Sequence, residues 1–343
     1  MARDPRSTQF PDDEVTLVHC VNRCVRRAML CGSDPLSGRC CEHRRQWIQD
    51  RLEFLAGSML IDVCGFAVMS NHVHVVLRNR PDLVKEFSDD EVRRRWWELC
   101  PARRADDGHP AEPTDIDLLF LVPDDKLDEI RIRLSSVSWF MRFLCERIAR
   151  RSNTEDDVTG RFWEGRFKAQ PLLDEAAVLA CTMYVDLNPI RAAIAKTPES
   201  SQYTSAYERI QAIIGRKSKK KQRDEPRDGW LTPISLTETH TITRRERRAS
   251  DKGFLPLSLP EYLRLLDWTG RQIRHDKRGS IPTDLAPILD RLQIAEGMWI
   301  ETVKHFGRWF KRAAGRATSL RDEATRRGTA WLHGTTAGGR AFG

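Results

Sequence analysis

Residues 61 to 79, IDVCGFAVMSNHVHVVLRN, restrict the fold more than any other stretch. Two apolar, β-branched runs flank Ser70 and Asn71. Such residues pack well on a pleated surface, and Ser and Asn bond their own backbone in tight turns. The stretch predicts an antiparallel hairpin over residues 61 to 78. The second run carries two histidines, His72 and His74. Side chains at i and i+2 of a strand share a face, so both imidazoles project together while Val73 and Val75 point away. Two imidazole nitrogens so close suit a divalent metal. Alone, the pair fits equally well two polar side chains on a wetted sheet face.

The flanks complete an alternating pattern. EVTLVHCVNRC reads as a strand. HRRQWIQDRLEFLAG places Trp47, Ile48, Leu52 and Leu55 at helical spacing and stops near Gly57. Residues 127 to 150 carry Ile130, Leu134, Val137, Met141, Leu144 and Ile148 in one apolar stripe, predicting a single long helix. TGRFWEGRFKAQPLL alternates, with Glu164, Arg166, Lys168 and Gln170 on one face and Trp163 and Phe167 on the other, toward the core. DEAAVLACTMYVDLN is the next helix, with Asp174 as its N-cap and its end at or before Pro189. Residues 81 to 126 break the pattern with a charged helix and a Pro/Gly/Asp stretch, and read as a peripheral insertion. The order strand, helix, strand, strand, helix, strand, helix predicts an α+β fold with helices packed on one face of an antiparallel sheet.

Three segments follow from the apolar content: a first domain over residues 1 to 210, a basic linker over 211 to 253, and a helical C-terminal extension over 254 to 343. GRKSKKKQRDEPRD in the linker has no apolar residue and reads as solvated. Residues 254 to 313 regain helical patterning and are expected to pack as a satellite. The Gly-rich end, HGTTAGGRAFG, is expected to be disordered.

Composition narrows the function classes. The chain has 343 residues, 40% of them hydrophobic, and a formal net charge of +8. That is enough to bury a core, and the positive balance favours a polyanionic partner. No apolar run reaches the roughly 18 to 20 residues of a membrane-spanning helix. MARDPRSTQF lacks the apolar centre of a signal peptide, so a cytoplasmic location is expected. Nine cysteines are then expected to be reduced thiols. Five of them crowd with His19 and His43 into residues 19 to 43, but no CxxC spacing occurs there, so isolated thiols are favoured over structural zinc.

Tyr184 is one of four tyrosines, and Asn188 follows four residues later in the same expected helix. Positions i and i+4 are neighbours on a helix, so phenol and amide share a face. An amide oxygen can complete a metal shell begun by two histidines, and a phenol beside the metal can attack a phosphate. Taken alone, a half-buried aromatic and a helix-terminal Asn before Pro189 serve as well.

Together, GFAVMSNHVHVVL, GRFWEGRFKAQPLLDEAAVLACTMYVDLNPIRAAI and HCVNRCVRR resemble the single-tyrosine HUH transposases, in particular the REP-associated tyrosine transposases. The resemblance covers about residues 15 to 195 apart from the 81 to 126 insertion. It implies a ferredoxin-like sheet. It also implies that His72, His74 and Asn188 hold a divalent metal, Mg²⁺ or Mn²⁺, and that Tyr184 is the nucleophile. Tyr184 would cleave single-stranded or hairpin DNA, giving a 5′-phosphotyrosine and a free 3′-OH that a later strand exchange rejoins. A free phenol titrates near about 10, so some group must take its proton, and the sequence does not name one. Phosphate contacts are expected from Arg23, Arg26, Arg27, Arg166 and Lys168. The insertion is larger than in compact members of that family, and the C-terminal extension is not covered. A homodimer is left open. The alternatives are a domesticated, non-catalytic DNA-binding protein and a replication-initiator or relaxase-type HUH nuclease.

Overall fold

The computed structural model describes residues 9–25, 30–33, 38, 40–218, 226–236, 247–275, 286–292, 294 and 296–343. The chain opens with β1 (Leu17–Arg23), α1 (Arg44–Ser58), β2 (Ile61–Val68) and β3 (His72–Asn79). Four short helices follow: α2 (Pro81–Val84), α3 (Asp89–Leu99), α4 (Asp115–Leu121) and α5 (Leu127–Leu134). Then come α6 (Val137–Asp156), β4 (Lys168–Leu172), α7 (Glu175–Asp186), α8 (Asn188–Arg191) and α9 (Ser205–Ser218). The C-terminal part adds α10 (Leu259–His275), α11 (Ala286–Arg291), α12 (Glu296–Trp309), α13 (Ala317–Arg326) and α14 (Thr335–Phe342).

The four strands form one antiparallel sheet in the order β2-β3-β1-β4. With α1 between β1 and β2 and α6 between β3 and β4, this is the ferredoxin-like arrangement expected for the α+β class. Residues 61 to 78 form the predicted hairpin, with Val68 opposite Val73. One sheet face carries Val18, Cys20, Val73, Val75, Leu77 and Phe66, packed against Ile48, Leu52 and Leu55 of α1 and Phe140, Met141 and Leu144 of α6. Trp163 and Phe167 join that core as expected, but the strand expected over TGRFWEGRFKAQPLL is shorter: β4 begins only at Lys168, so both residues precede it.

The single helix expected over 127 to 150 is two. Ser136 is extended (φ −90°, ψ 121°), and the buried pair Ser135–Ser136 separates α5 from α6. Serine hydroxyls compete for backbone groups and favour helix boundaries, and the apolar stripe does not register this. The insertion is also less peripheral than expected, since Val92, Trp96 and Leu99 of α3 are buried in the α1/α6 core.

The second sheet face is covered as well. α7 lies on it, and its buried side chains share one core with Tyr262, Leu265 and Leu266 of α10 and Trp299, Val303 and Phe306 of α12. The satellite expected over 254 to 313 is therefore part of the main body. The link is polar as well as apolar. The buried Asp186 carboxylate at the end of α7 accepts from Ser205 Oγ (2.5 Å), the Ala206 amide (3.0 Å) and Tyr262 Oη (2.6 Å). At the other end of α7, Asp174 is the predicted N-cap, accepting from the Ala177 amide at 3.0 Å, a bond worth about 1 kcal/mol. Its second oxygen accepts from the Arg316 amide (2.6 Å) and Ser319 Oγ (2.9 Å) of the C-terminal part. Backbone bonds from Ala314 to Pro171 and from Leu173 to Ala314, both 2.9 Å, extend edge strand β4.

The expected disordered tail is helix α14. Phe342 is fully buried and stacks on Phe310 with ring centroids 5.7 Å apart. Its glycines allow close packing: a Cβ on Gly338 would lie 2.3 Å from the Gly315 carbonyl oxygen. Here glycine enrichment marks a close approach rather than flexibility. Phe342→Ala should accordingly destabilise the protein by about 3 to 5 kcal/mol in urea unfolding. An unchanged midpoint would show the tail to be undocked.

Candidate active site

Alternation in three adjacent strands builds the site. In β1 the residues Leu17, His19, Val21 and Arg23 share a face. Across the register lie His72 and His74 of β3, opposite Arg23 and Val21, and Lys168 and Gln170 of β4, opposite Val21 and His19. These side chains form the floor of a cavity of about 590 Å³ that also includes Tyr184 and Arg166. Its far wall is Gly307 of α12 with Phe310, Lys311, Arg312 and Arg327, and no carboxylate lines it among the described residues.

The imidazoles stand in a hydrogen-bonded line. Gln170 Oε1 lies 3.2 Å from His19 Nδ1, and His19 Nε2 lies 2.9 Å from His74 Nδ1. All three residues are buried. An amide oxygen can only accept, so His19 donates from Nδ1 and accepts at Nε2. His74 must then donate from Nδ1, which leaves its Nε2 with a lone pair. That atom is buried and has no partner among the described residues. His72 repeats the pattern, with Nδ1 donating to Asn71 Oδ1 at 2.6 Å. Its ring is 4.8 Å from that of His74. Burial pushes the pKa of His19 and of His72 down to about 4, and that of His74 well below 6.5, so all three are neutral at pH 7.

Two neutral imidazoles with outward lone pairs suit a divalent ion, and fixing the inner nitrogens is how outer hydrogen bonds orient metal-binding histidines. Among the described residues no group of three or more His, Cys, Asp or Glu side chains is disposed to hold a metal. An ion would therefore rest on the His72/His74 pair with amide, water or phosphate oxygens.

Tyr184 faces this pair edge-on, its ring 5.6 Å from His74 and 6.1 Å from His19. Phe306 packs beside it at 5.7 Å, and the Arg191 guanidinium lies 4.5 Å from the ring centroid. Arg191 also donates to the Lys304 carbonyl of α12 at 2.6 Å, so it clamps the tyrosine and the C-terminal wall together. A Cβ on Gly307 would stand 2.8 Å from Tyr184 Oη, so only glycine lets α12 pass there.

Asn188 is placed differently from the single-helix reading. α7 stops at Asp186, Leu187 caps it, and Asn188 opens α8 before Pro189. Asn188 is buried, its Nδ2 has no partner among the described residues, and it is not among the cavity-lining residues. Arg23, Arg166 and Lys168 line the cavity, whereas Arg26 and Arg27 lie outside the described residues. The nine cysteines are free thiols, and burial pushes Cys31 up to about 12.

Sequence reasoning missed two members. His19 was weighed only as a neighbour of the cysteines, although it shares the β1 face of Arg23 and becomes adjacent to His74 once the β1/β3 register is known. Arg191 ends α8, beyond the break at Leu187, and its approach to the Tyr184 ring follows from how α8 is set against α7.

No protein-family model matches the chain, and no curated protein matches it. Among solved structures, one of a REP-associated tyrosine transposase bound to a REP hairpin is similar at 9% identity and a TM-score of 0.34. The match covers 57% of this chain and 79% of that one.

Two outcomes follow from the geometry. In metal-free protein the unfolded chain protonates its histidines near pH 6.5, whereas the folded chain keeps His19 and His72 neutral to about 4. Stability present at pH 7 is thus lost as pH falls between these values, by up to about 1.4 kcal/mol per pH unit for each imidazole. Urea midpoints flat from pH 7 to pH 4 would contradict this. Gly307→Ala should cost about 1 to 3 kcal/mol through the clash with Tyr184, and Tyr184→Phe in the same protein should recover part of it in thermal melts.

Proposed function

We propose that the cavity cleaves and rejoins single-stranded DNA with Tyr184 as nucleophile. The observation that carries the reading is the juxtaposition of the Tyr184 phenol with two imidazoles whose outer nitrogens are unprotonated, in a cavity lined by cations and, among the described residues, by no carboxylate. Such a site repels acidic ligands little and attracts phosphate strongly. The sequence resemblance to single-tyrosine HUH transposases points to the same chemistry.

Each residue then has a task. Arg23, Arg166 and Lys168 hold strand phosphates and set the position of the scissile one. A divalent ion, Mg²⁺ or Mn²⁺, when bound at His72 and His74, supplies Lewis-acid polarisation of that phosphate. Asn188 as a third ligand, through its amide oxygen, rests on the resemblance alone. Tyr184 Oη attacks phosphorus in line and loses its proton. The bond from phosphorus to the 3′ oxygen breaks, and that oxygen takes up a proton. The products are a 5′-phosphotyrosine and a free 3′-OH. Attack by another 3′-OH reverses the step and releases the tyrosine, so bond energy is conserved and no nucleotide is consumed. The Arg191 guanidinium over the ring favours negative charge on the departing phenol. His19 is a positioning residue: its Nε2 accepts from His74 Nδ1 and so keeps His74 Nε2 available.

A second reading, DNA binding without turnover, draws on the Gly307 contact, which leaves little room at Tyr184 Oη. One set of variants separates the two. Tyr184→Phe should abolish covalent protein–DNA adducts on denaturing gels and leave single-stranded DNA affinity within about two-fold, because binding rests on phosphate contacts elsewhere. His72→Ala should slow adduct formation and respond to excess Mn²⁺. Adducts persisting in Tyr184→Phe would remove Tyr184 from the chemistry, and wild-type protein that binds but never forms an adduct would favour the second reading. His19→Leu should weaken Mn²⁺ binding about 10- to 100-fold. His19→Gln, which retains an acceptor for His74 Nδ1, should recover much of that loss, a difference a purely packing role would not produce.

A further inference from the structure

We infer that the C-terminal extension supplies a second phosphate-binding subsite to the same cavity, centred on Arg327 with Lys311 and Arg312, that grips the DNA strand opposite Arg23, Arg166 and Lys168. The inference rests on the strand-cleaving reading for its ligand, a backbone phosphate of single-stranded DNA.

The first observation is Arg327 itself. Its side chain is 1% exposed, yet it lines the cavity. Nε donates to Glu323 Oε1 at 2.6 Å, and Nη2 lies 2.5 Å from the same oxygen in poor hydrogen-bond geometry. Nη1 has no partner among the described residues. Glu323 does not neutralise Arg327 alone, because it also accepts two bonds from Arg326, each 2.7 Å. One carboxylate thus serves two guanidiniums, and a positive charge is left over at a buried position. A buried charge with an unmet donor is costly unless an anion completes it. Guanidinium presents paired donors that match phosphate oxygens.

The second observation is placement. Lys311 and Arg312 follow α12 directly and line the same cavity. Their segment is fixed to the catalytic helix rather than tethered loosely: Ala314 pairs with Pro171 of β4, and Asp174 binds Arg316 and Ser319. The cations on the two walls therefore keep a set separation across Tyr184. A strand lying over the tyrosine would have phosphates on both sides held, one group by the sheet and one by the extension. The resemblance to HUH transposases ends near residue 195 and says nothing of these residues.

The test measures binding of a fluorescein-labelled oligothymidylate to the full chain by anisotropy over a range of NaCl concentrations. For single strands each phosphate contact contributes about 0.7 to the slope of log affinity against log salt. Arg327→Gln should lower the slope by about 0.7 and Lys311→Ala/Arg312→Ala by about 1.4. Should Arg327→Gln fail to fold, as judged by near-ultraviolet circular dichroism, the exposed double variant carries the test. Slopes equal to wild type in the folded variants overturn the subsite. If inorganic phosphate raises the melting temperature of wild type and not of Arg327→Gln while the slopes coincide, Arg327 serves a free anion and the strand subsite is likewise overturned. Covalent adduct formation by wild type is scored separately. Lower slopes without adducts keep the subsite and remove the chemistry, whereas adducts with unchanged slopes keep the chemistry and remove the subsite.

Discussion

The site depends on one line of hydrogen bonds that crosses three strands, from Gln170 on β4 through His19 on β1 to His74 on β3. Each link sets the next. The Gln170 oxygen can only accept, which fixes the tautomer of His19, which fixes that of His74. The line exists only because the antiparallel register puts His19 opposite Gln170 and His74 two positions along. A slip of one residue in β1, β3 or β4 would turn that strand's member of the line to the opposite face, toward the α1/α6 core, and break the line. The apolar packing on that opposite face thus holds the register on which the polar line depends.

Over this floor the chain closes a lid of its own sequence. α7 brings Tyr184 to the imidazoles, and Asp174 and Asp186 at its two ends tie it to the C-terminal part through hydrogen bonds with Arg316, Ser319 and Tyr262. Arg191 and Gly307 then set how closely α12 passes the phenol. The result is a cavity with cations on both walls and the Tyr184 phenol between them. Such an arrangement suits a flexible polyanion more than a compact metabolite, because its charges are spread along the walls rather than converging on one point.

The N-terminal half of the fold, with the sheet and the helix of Tyr184, was legible because its signals are local. The hairpin over 61 to 78 shows as two β-branched runs around a polar turn, and the helix of Tyr184 shows through Asp174 and Pro189. What stayed hidden is non-local. His19 becomes a neighbour of His74 only through strand pairing 55 residues apart. The break at Ser135–Ser136 is too small to disturb a 3.6-residue stripe. The C-terminal helices looked separate because the chain before them is charged, yet their apolar faces complete the core of α7. Gly338 and Gly307 mark contact rather than looseness, and composition does not distinguish the two.

The proposed chemistry turns on a covalent bond between Tyr184 and DNA. The most direct measurement is mass spectrometric mapping of the peptide that carries nucleotide after the full chain is incubated with single-stranded DNA and Mn²⁺, then digested with nuclease and protease. The expected result is a deoxynucleotide 5′-phosphate on the peptide containing Tyr184 and on no other. Nucleotide attached at Tyr203, Tyr207 or Tyr262, or found on no peptide while the DNA is cut, would contradict it.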